Sequence, residues 1–200
     1  MNKSAMYKLS YGLYVLSAKE GEKDNGCIIN TAAQVTTSPN RITVAVNKSN
    51  FTHDIIHNTG VFNVSILDTT VPFSVFENFG FRSGRDCDKF ADIPVKRSDN
   101  GLLYVLDHTT AYISGKVVQE IDLGSHTLFL SDVTDADIVS GKEAVTYSFY
   151  QDNIKPKPEK TEKKGYRCKI CGYVYEGDTL PEDFVCPICK HGSADFEKIR

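Results

Sequence analysis

Four cysteines, spaced as Cys168-x2-Cys171 and Cys186-x2-Cys189, fall within residues 165–200 of this 200-residue chain. Thiolates two residues apart bend round one ion because the backbone between them turns on itself, and two such pairs supply the four-sulfur set that zinc or iron prefers. Cys168, Cys171, Cys186 and Cys189 are therefore the expected metal ligands. Disulfides fit poorly. No secretory leader is discernible, and Cys27 and Cys87, distant in apolar or mixed surroundings, read as small buried thiols. Spacing alone serves iron and zinc equally well.

The neighbours of these cysteines narrow the choice. GYRCKICGYVYEGD, then LPEDFVCPICK, then DFEKI resembles a rubredoxin, whose single iron passes one electron at a time. Tyr166, Gly172, Tyr173, Glu176, Gly177, Asp178, Pro187 and Phe196 carry that resemblance. Gly172 has a physical reason to be there: a residue free to take positive φ lets backbone N–H groups turn toward the sulfurs. Two departures stand out. Only 14 residues separate Cys171 from Cys186, as in the shortened form fused to rubrerythrins, and Lys190 stands where a glycine commonly follows the last cysteine. The short insert is expected to remove core aromatics, so that the metal contributes more of the fold. A structural zinc ribbon stays open as the alternative.

The rest of the chain must position this module and whatever chemistry precedes it. Its length suits one domain over 1–150 and a small one over 165–200. Between them, QDNIKPKPEKTEKK (151–164) carries five lysines, two prolines and few apolar side chains, and reads as an extended tether spanning at most about 45–50 Å. A net charge of −3 and a pI near 6.0 provide no basic field for nucleic acid. No apolar run approaches the roughly 20 residues that cross a bilayer, so a cytoplasmic location without a membrane partner is expected.

Residues 1–150 read mainly as strand. LYVLSA, CIINTAAQVT, RITVAVN, VFNVSIL, LLYVL, TAYISGKVVQEI and HTLFLSDV are rich in β-branched and aromatic residues and are parted by Gly, Asn, Asp or Pro. Helical spacing appears at 51–58, with Asn50 as cap and Ile55 and Ile56 facing inward, and again near 71–79, while 147–150 reads as a strand end. Many strands with few helices predict a closed or half-closed barrel, because closure removes exposed edges. Neither GxGxxG nor GxxxxGK[ST] is present, so a nucleotide here is held by some other device.

NGCIINTAAQVTTSP, NKSNFTHDII, FGFRSGRDCDKFA, GSHTLFLSDV and TYSFYQDNIKPKP, in that order, resemble the flavin-reductase-like split barrel that binds FMN. The whole chain resembles the high-molecular-weight rubredoxin family, in which such a barrel is fused to a rubredoxin. The resemblance implies a mainly β fold: an FMN-binding split β-barrel with a few short helices, plus a small rubredoxin-like metal-bound C-terminal domain. It places the flavin ring and ribityl chain against Asn30, Thr31, Ala32, Gln34, Val35 and Thr36, and the phosphate near Lys48, Ser49, Asn50 and Thr52 at the first helix start, where free N–H groups favour an anion. Arg82, Ser83 and Gly84 are further flavin candidates, while Arg85 with Asp86 and Asp88 reads as a local salt-bridged turn.

His126 matches a histidine near the nicotinamide or flavin, although Ser125 replaces the acid that usually precedes it; a strand-start histidine bonded to backbone is the other reading. His53, His57, His108 and His191 fit no motif and read as surface or structural groups. No hydrolytic set of paired carboxylates or Ser/His/Asp is discernible. The resemblance implies an electron-transfer flavoprotein taking electrons from NADH or NADPH, or from a reductase, through FMN to iron and on to a redox protein such as a flavo-diiron oxygen or nitric oxide reductase of an anaerobe. It also implies a homodimer. A flavin reductase releasing reduced flavin, with a zinc tail that only docks, is the alternative.

Overall fold

The computed structural model of the chain describes residues 2–156 and 165–199. Two compact units meet in sequence at Ile154 and Lys155. Most of the expected tether, 157–164, lies outside the described residues.

In the first unit the strands are β1 (Tyr14–Glu20), β2 (Lys23–Ile29), β3 (Ala33–Thr37), β4 (Asn40–Asn47), β5 (Val61–Leu67), β6 (Val95–Arg97), β7 (Leu103–Val105), β8 (Thr109–Asp122) and β9 (His126–Ile138). Seven of them form one antiparallel sheet in the order β2-β1-β5-β8-β9-β4-β3, and β6 and β7 make a separate ribbon. The edge strands β2 and β3 are consecutive in the chain, joined by residues 30–32. A flat sheet of this width would hold its edges roughly 29 Å apart. Three residues and their links reach about 13 Å. The sheet must therefore curl into a barrel, split at the β2–β3 seam.

Burial follows the alternation of the strands. On β4, Ile42, Val44 and Val46 are buried while Thr43, Ala45 and Asn47 between them are less so. β1 is buried along four consecutive residues, 15–18, because Leu16 and Ala18 join the barrel core, Val15 packs under an outer layer with Val71, Phe76, Phe79 and Phe90, and the Ser17 hydroxyl donates to Leu103 O. The helix α1 (Phe51–Thr59) lays Thr52, Ile55 and Ile56 on the core and stops at Gly60, which takes a left-handed φ of 69° and donates its N–H to Ile56 O. Ile55 and Ile56 thus face inward as expected. Asn50 sits at the cap position without a side-chain capping bond.

Three local expectations are corrected. CIINTAAQVT is two strands broken at residues 30–32, where the chain crosses the seam of the barrel. The 147–150 stretch is helical, Tyr147–Phe149 followed by a π turn over Tyr150–Ile154, with Thr146 Oγ1 accepting the Phe149 N–H. Arg85 does not pair with Asp86 or Asp88: it donates to Asp54 Oδ2 at 2.7 Å and lies over the Phe51 ring.

The second unit is a three-stranded antiparallel sheet of β10 (Gly165–Cys168), β11 (Val174–Tyr175) and β12 (Phe196–Ile199), with β10 central. Its core gathers Cys168, Cys186 and Phe196 with Tyr166, Tyr173, Tyr175, Leu180 and Phe184. The 14-residue insert supplies Tyr173, Tyr175 and Phe184 to this core; Phe184 packs edge-on to Phe196 and against Tyr175.

Candidate functional site

The four cysteine sulfurs converge. Cys168 and Cys189 Sγ lie 3.5 Å apart, Cys171 and Cys186 Sγ lie 3.4 Å apart, and all four fall within 4.8 Å of one another. A tetrahedron with metal–sulfur bonds of about 2.3 Å has edges of roughly 3.8 Å, so the donor set fits one such ion. Each pair sits in the same loop. Cys168 N–H donates to Tyr173 O and Gly172 N–H to Cys168 O; Cys186 N–H donates to His191 O and Lys190 N–H to Cys186 O. Gly172 and Lys190 close these loops at φ 81° and 61°, so a lysine holds the left-handed conformation that glycine takes without strain.

Burial favours the neutral Cys186 thiol, but the backbone N–H groups of Cys189 and Ile188, together with the Cys171 and Cys189 thiols, more than offset it and hold the group below its usual range. Such amides stabilise a thiolate ligand. Burial pushes Cys171 up to about 11. Cys27 is buried, whereas Cys87 is half-buried with its thiol on Ser83 O.

The flavin candidates fall around the seam and the start of α1. Thr31 Oγ1 donates to Ala45 O on β4, and Tyr14 Oη to Ala32 O. Gln34 Nε2 bonds Asn40 Oδ1; Val35 is the bulged, exposed residue of β3, and Thr36 pairs with Arg41. A cavity of about 300 Å³ opens among Tyr14, Ala32, Gln34, Ile66, Ile113 and Val133.

At the other end of β4, Asn47 Oδ1 accepts the Ser49 N–H and hydroxyl, and Asn47 is paired in register with His126. Lys48 N–H donates to Ser125 O, and Lys48 Nζ to Asp122 Oδ1. The topology thus brings Lys48, Ser49 and His126 together. His126 Nδ1 meets the Ser125 hydroxyl at 2.9 Å. Thr52 lies inward, buried and bonded to Asn25 Nδ2. Gly84 is joined to this group, because a Cβ there would collide with Asn25 Oδ1. Ser83 Oγ accepts the Arg85 N–H, and Arg82 points to Asn78.

Sequence reading missed several contributors. Lys89 is 5% exposed and donates to Gly26 O at 2.9 Å and Phe79 O at 3.1 Å, tying β2 to the helical turn at 77–81. Burial lowers its pKa, with nearby Cys27 and Cys87 opposing. Nothing in the string DCDKF marks that lysine as internal. Asn25, Asp122 and Tyr14 were equally silent. The four unassigned histidines all have bonded partners: His53 with Thr127, His57 with Glu120, His108 with Thr70 and His191 with Cys189 O.

Residues 6–157 match the flavin reductase like domain family, and residues 166–197 match the rubrerythrin, rubredoxin-like domain. The chain belongs to the flavin reductase-like family. The rubredoxin-like domain follows the barrel in sequence, and the joining of the two in one chain suggests electron transfer. It is 39% identical to the high molecular weight rubredoxin of Moorella thermoacetica, over 100% of both chains. It is 37% identical to a ferric-chelate reductase (NAD(P)H) of Archaeoglobus fulgidus, covering 80% of this chain and 95% of that one. In fold, the flavin reductase-like barrel resembles nitrilotriacetate monooxygenase component B from Mycobacterium thermoresistibile, with TM-score 0.64, 22% identity and coverage of 71% of this chain and 78% of that one. It also resembles the styrene monooxygenase flavin reductase from Pseudomonas putida, with TM-score 0.62, 21% identity and coverage of 73% and 91%. No helix among the described residues is long and apolar enough to cross a membrane.

Proposed function

We propose that the chain is an electron-transfer flavoprotein that draws electrons from NADH, NADPH or a protein reductase and delivers them to a redox protein, such as a flavo-diiron oxygen or nitric oxide reductase. The observation that carries this reading is the joining, in one chain, of a flavin reductase-like domain with a four-thiolate site of tetrahedral size. FMN, when bound, takes two electrons and releases them singly, and a four-thiolate iron takes one at a time. Asn30, Thr31, Ala32, Gln34, Val35 and Thr36 would bind the ring edge and ribityl chain, and Arg82, Ser83 and Gly84 would reach the flavin or its phosphate. Lys48 and Ser49, with the open end of α1, would bind the phosphate; Thr52 supports that turn from inside through Asn25. His126 would orient the nicotinamide. Cys168, Cys171, Cys186 and Cys189 would hold iron, with the Cys189 and Ile188 amides stabilising the Cys186 sulfur. A cytoplasmic homodimer is the proposed form.

A visible spectrum before and after anaerobic NADH addition tests this. Flavin bands and thiolate-to-iron bands, both bleached by NADH, are expected; stoichiometric zinc in protein from iron-replete anaerobic cells overturns the redox role of the tail. The similarity to a ferric-chelate reductase favours a second reading, in which the flavin domain hands electrons straight to a small acceptor. Under it, NADH-driven reduction of a ferric chelate persists unchanged in Cys168→Ser.

A further inference from the structure

The β8–β9 hairpin closes through one carboxylate. Asp122 Oδ1 accepts the Gly124 N–H at 2.7 Å, Gly124 takes a φ of 85°, and Leu123 N–H donates to His126 O. The same Oδ1 also accepts Lys48 Nζ at 2.7 Å. Asp122 is thus built into the turn by a backbone bond, whereas the Lys48 ammonium arrives at the end of a flexible stem. Lys48 and Gly124 both keep the Asp122 carboxyl below the usual carboxylate range, so it remains an anion at neutral pH.

We propose that Asp122 is an internal competitor for Lys48 and so sets how tightly a phosphate monoester is held at the junction of β4 and α1. This rests on Lys48 as the phosphate ligand. The side chains of the pair are 72% (Asp122) and 38% (Lys48) exposed. Ion pairs of this kind are weak, so the lysine leaves at little cost. The carboxylate cannot follow, because the turn holds it. A dianion within reach of Lys48 would lie about 6 Å from Asp122, where like-charge repulsion in a water-like, salt-screened medium weakens binding roughly three- to tenfold. The competing role would be a positioning one, in which Asp122 presents Lys48 to the ligand. The two differ in sign.

Asp122→Asn retains an oxygen for the Gly124 N–H and removes the charge; Asp122→Ser is a second variant with a turn-forming oxygen. Flavin-free full-length protein is titrated with FMN and with riboflavin at low and physiological salt. The expected result is FMN affinity raised about three- to tenfold, riboflavin affinity unchanged, and a steeper salt dependence for FMN in the variants. Unchanged or weakened FMN binding in both variants overturns the proposal. A failure of the underlying reading looks different. If the wild-type chain binds FMN and riboflavin equally, or if Lys48→Ala leaves their ratio intact, Lys48 is not the phosphate ligand and the competition falls with it.

Discussion

Lys190 occupies a backbone conformation that costs a side-chain-bearing residue roughly 1–2 kcal/mol, and its counterpart in the other cysteine loop is Gly172. After the extra chain entropy that glycine loses on folding, Lys190→Gly is expected to stabilise the C-terminal unit by about 0.5–1 kcal/mol. Urea unfolding of the metal-loaded protein measures it, and a less stable variant would assign the lysine side chain a contact of its own. Cys189→Ser removes one of four converging sulfurs. It is expected to abolish metal binding and unfold this unit while flavin content stays unchanged, read by metal analysis and flavin absorbance. His126 belongs to the same scale. Its replacement by Ala should slow flavin reduction by nicotinamide while leaving photochemical reduction and flavin content alone. Unaltered kinetics with both NADH and NADPH make it a strand-start histidine held by Ser125.

Elements of the barrel are joined by interior polar side chains, and these respond to substitution and pH. Lys89→Met keeps much of the volume but strands the carbonyls of Gly26 and Phe79. A loss of about 2–3 kcal/mol is expected in chemical denaturation, and no loss would mean that the burial cost of the ammonium equals its bonds. Asp68, at the end of β5, is fully buried; its Oδ1 accepts the Thr70 N–H at 2.7 Å and hydroxyl at 2.6 Å, and Lys142 Nζ lies 3.4 Å from Oδ2. Burial pushes this carboxyl up, but Thr70 and Lys142 more than offset it, leaving it below its ordinary 3.8. The unfolded chain therefore binds the proton more readily. Asp68 contributes its full stability above that ordinary value and loses it as pH falls through the lower folded value. Acid titration of the fold should show the transition in the native chain and a flatter profile in Asp68→Asn.

For the whole molecule, the proposed relay has a kinetic signature that two unrelated domains would lack. A tethered module works at an effective concentration on the order of millimolar, so NADH-driven reduction of the four-cysteine centre should not depend on protein concentration. Cleavage within 155–164 should make it concentration-dependent and far slower at micromolar protein, with excess C-terminal unit restoring the rate. Equal rates before and after cleavage at low concentration would remove the tether from the pathway.

What could be read before any fold was known was chemistry that closes on itself locally. A Cys-x2-Cys pair turns within its own loop, so the ligand set was legible from spacing, and period-two runs such as RITVAVN announced strands with one buried face. The inward-facing Ile55 and Ile56 followed from spacing one turn of helix can express. Pairings across the barrel were not legible. Arg85 finds Asp54, and Lys89 finds the carbonyl of Gly26, because the curled sheet and its outer layer bring distant segments together. Neither partner marks the other in sequence. The break at residues 30–32 arises because a chain joining the two edges of a seven-stranded sheet must leave one edge to start the other. For the same reason the meeting of Lys48, Asp122 and His126 belongs to tertiary structure alone: β4 lies beside β9, and that neighbour relation sets the hairpin tip against the start of α1. Alternation tells a residue which face it occupies, whereas only the order of strands decides what it faces there.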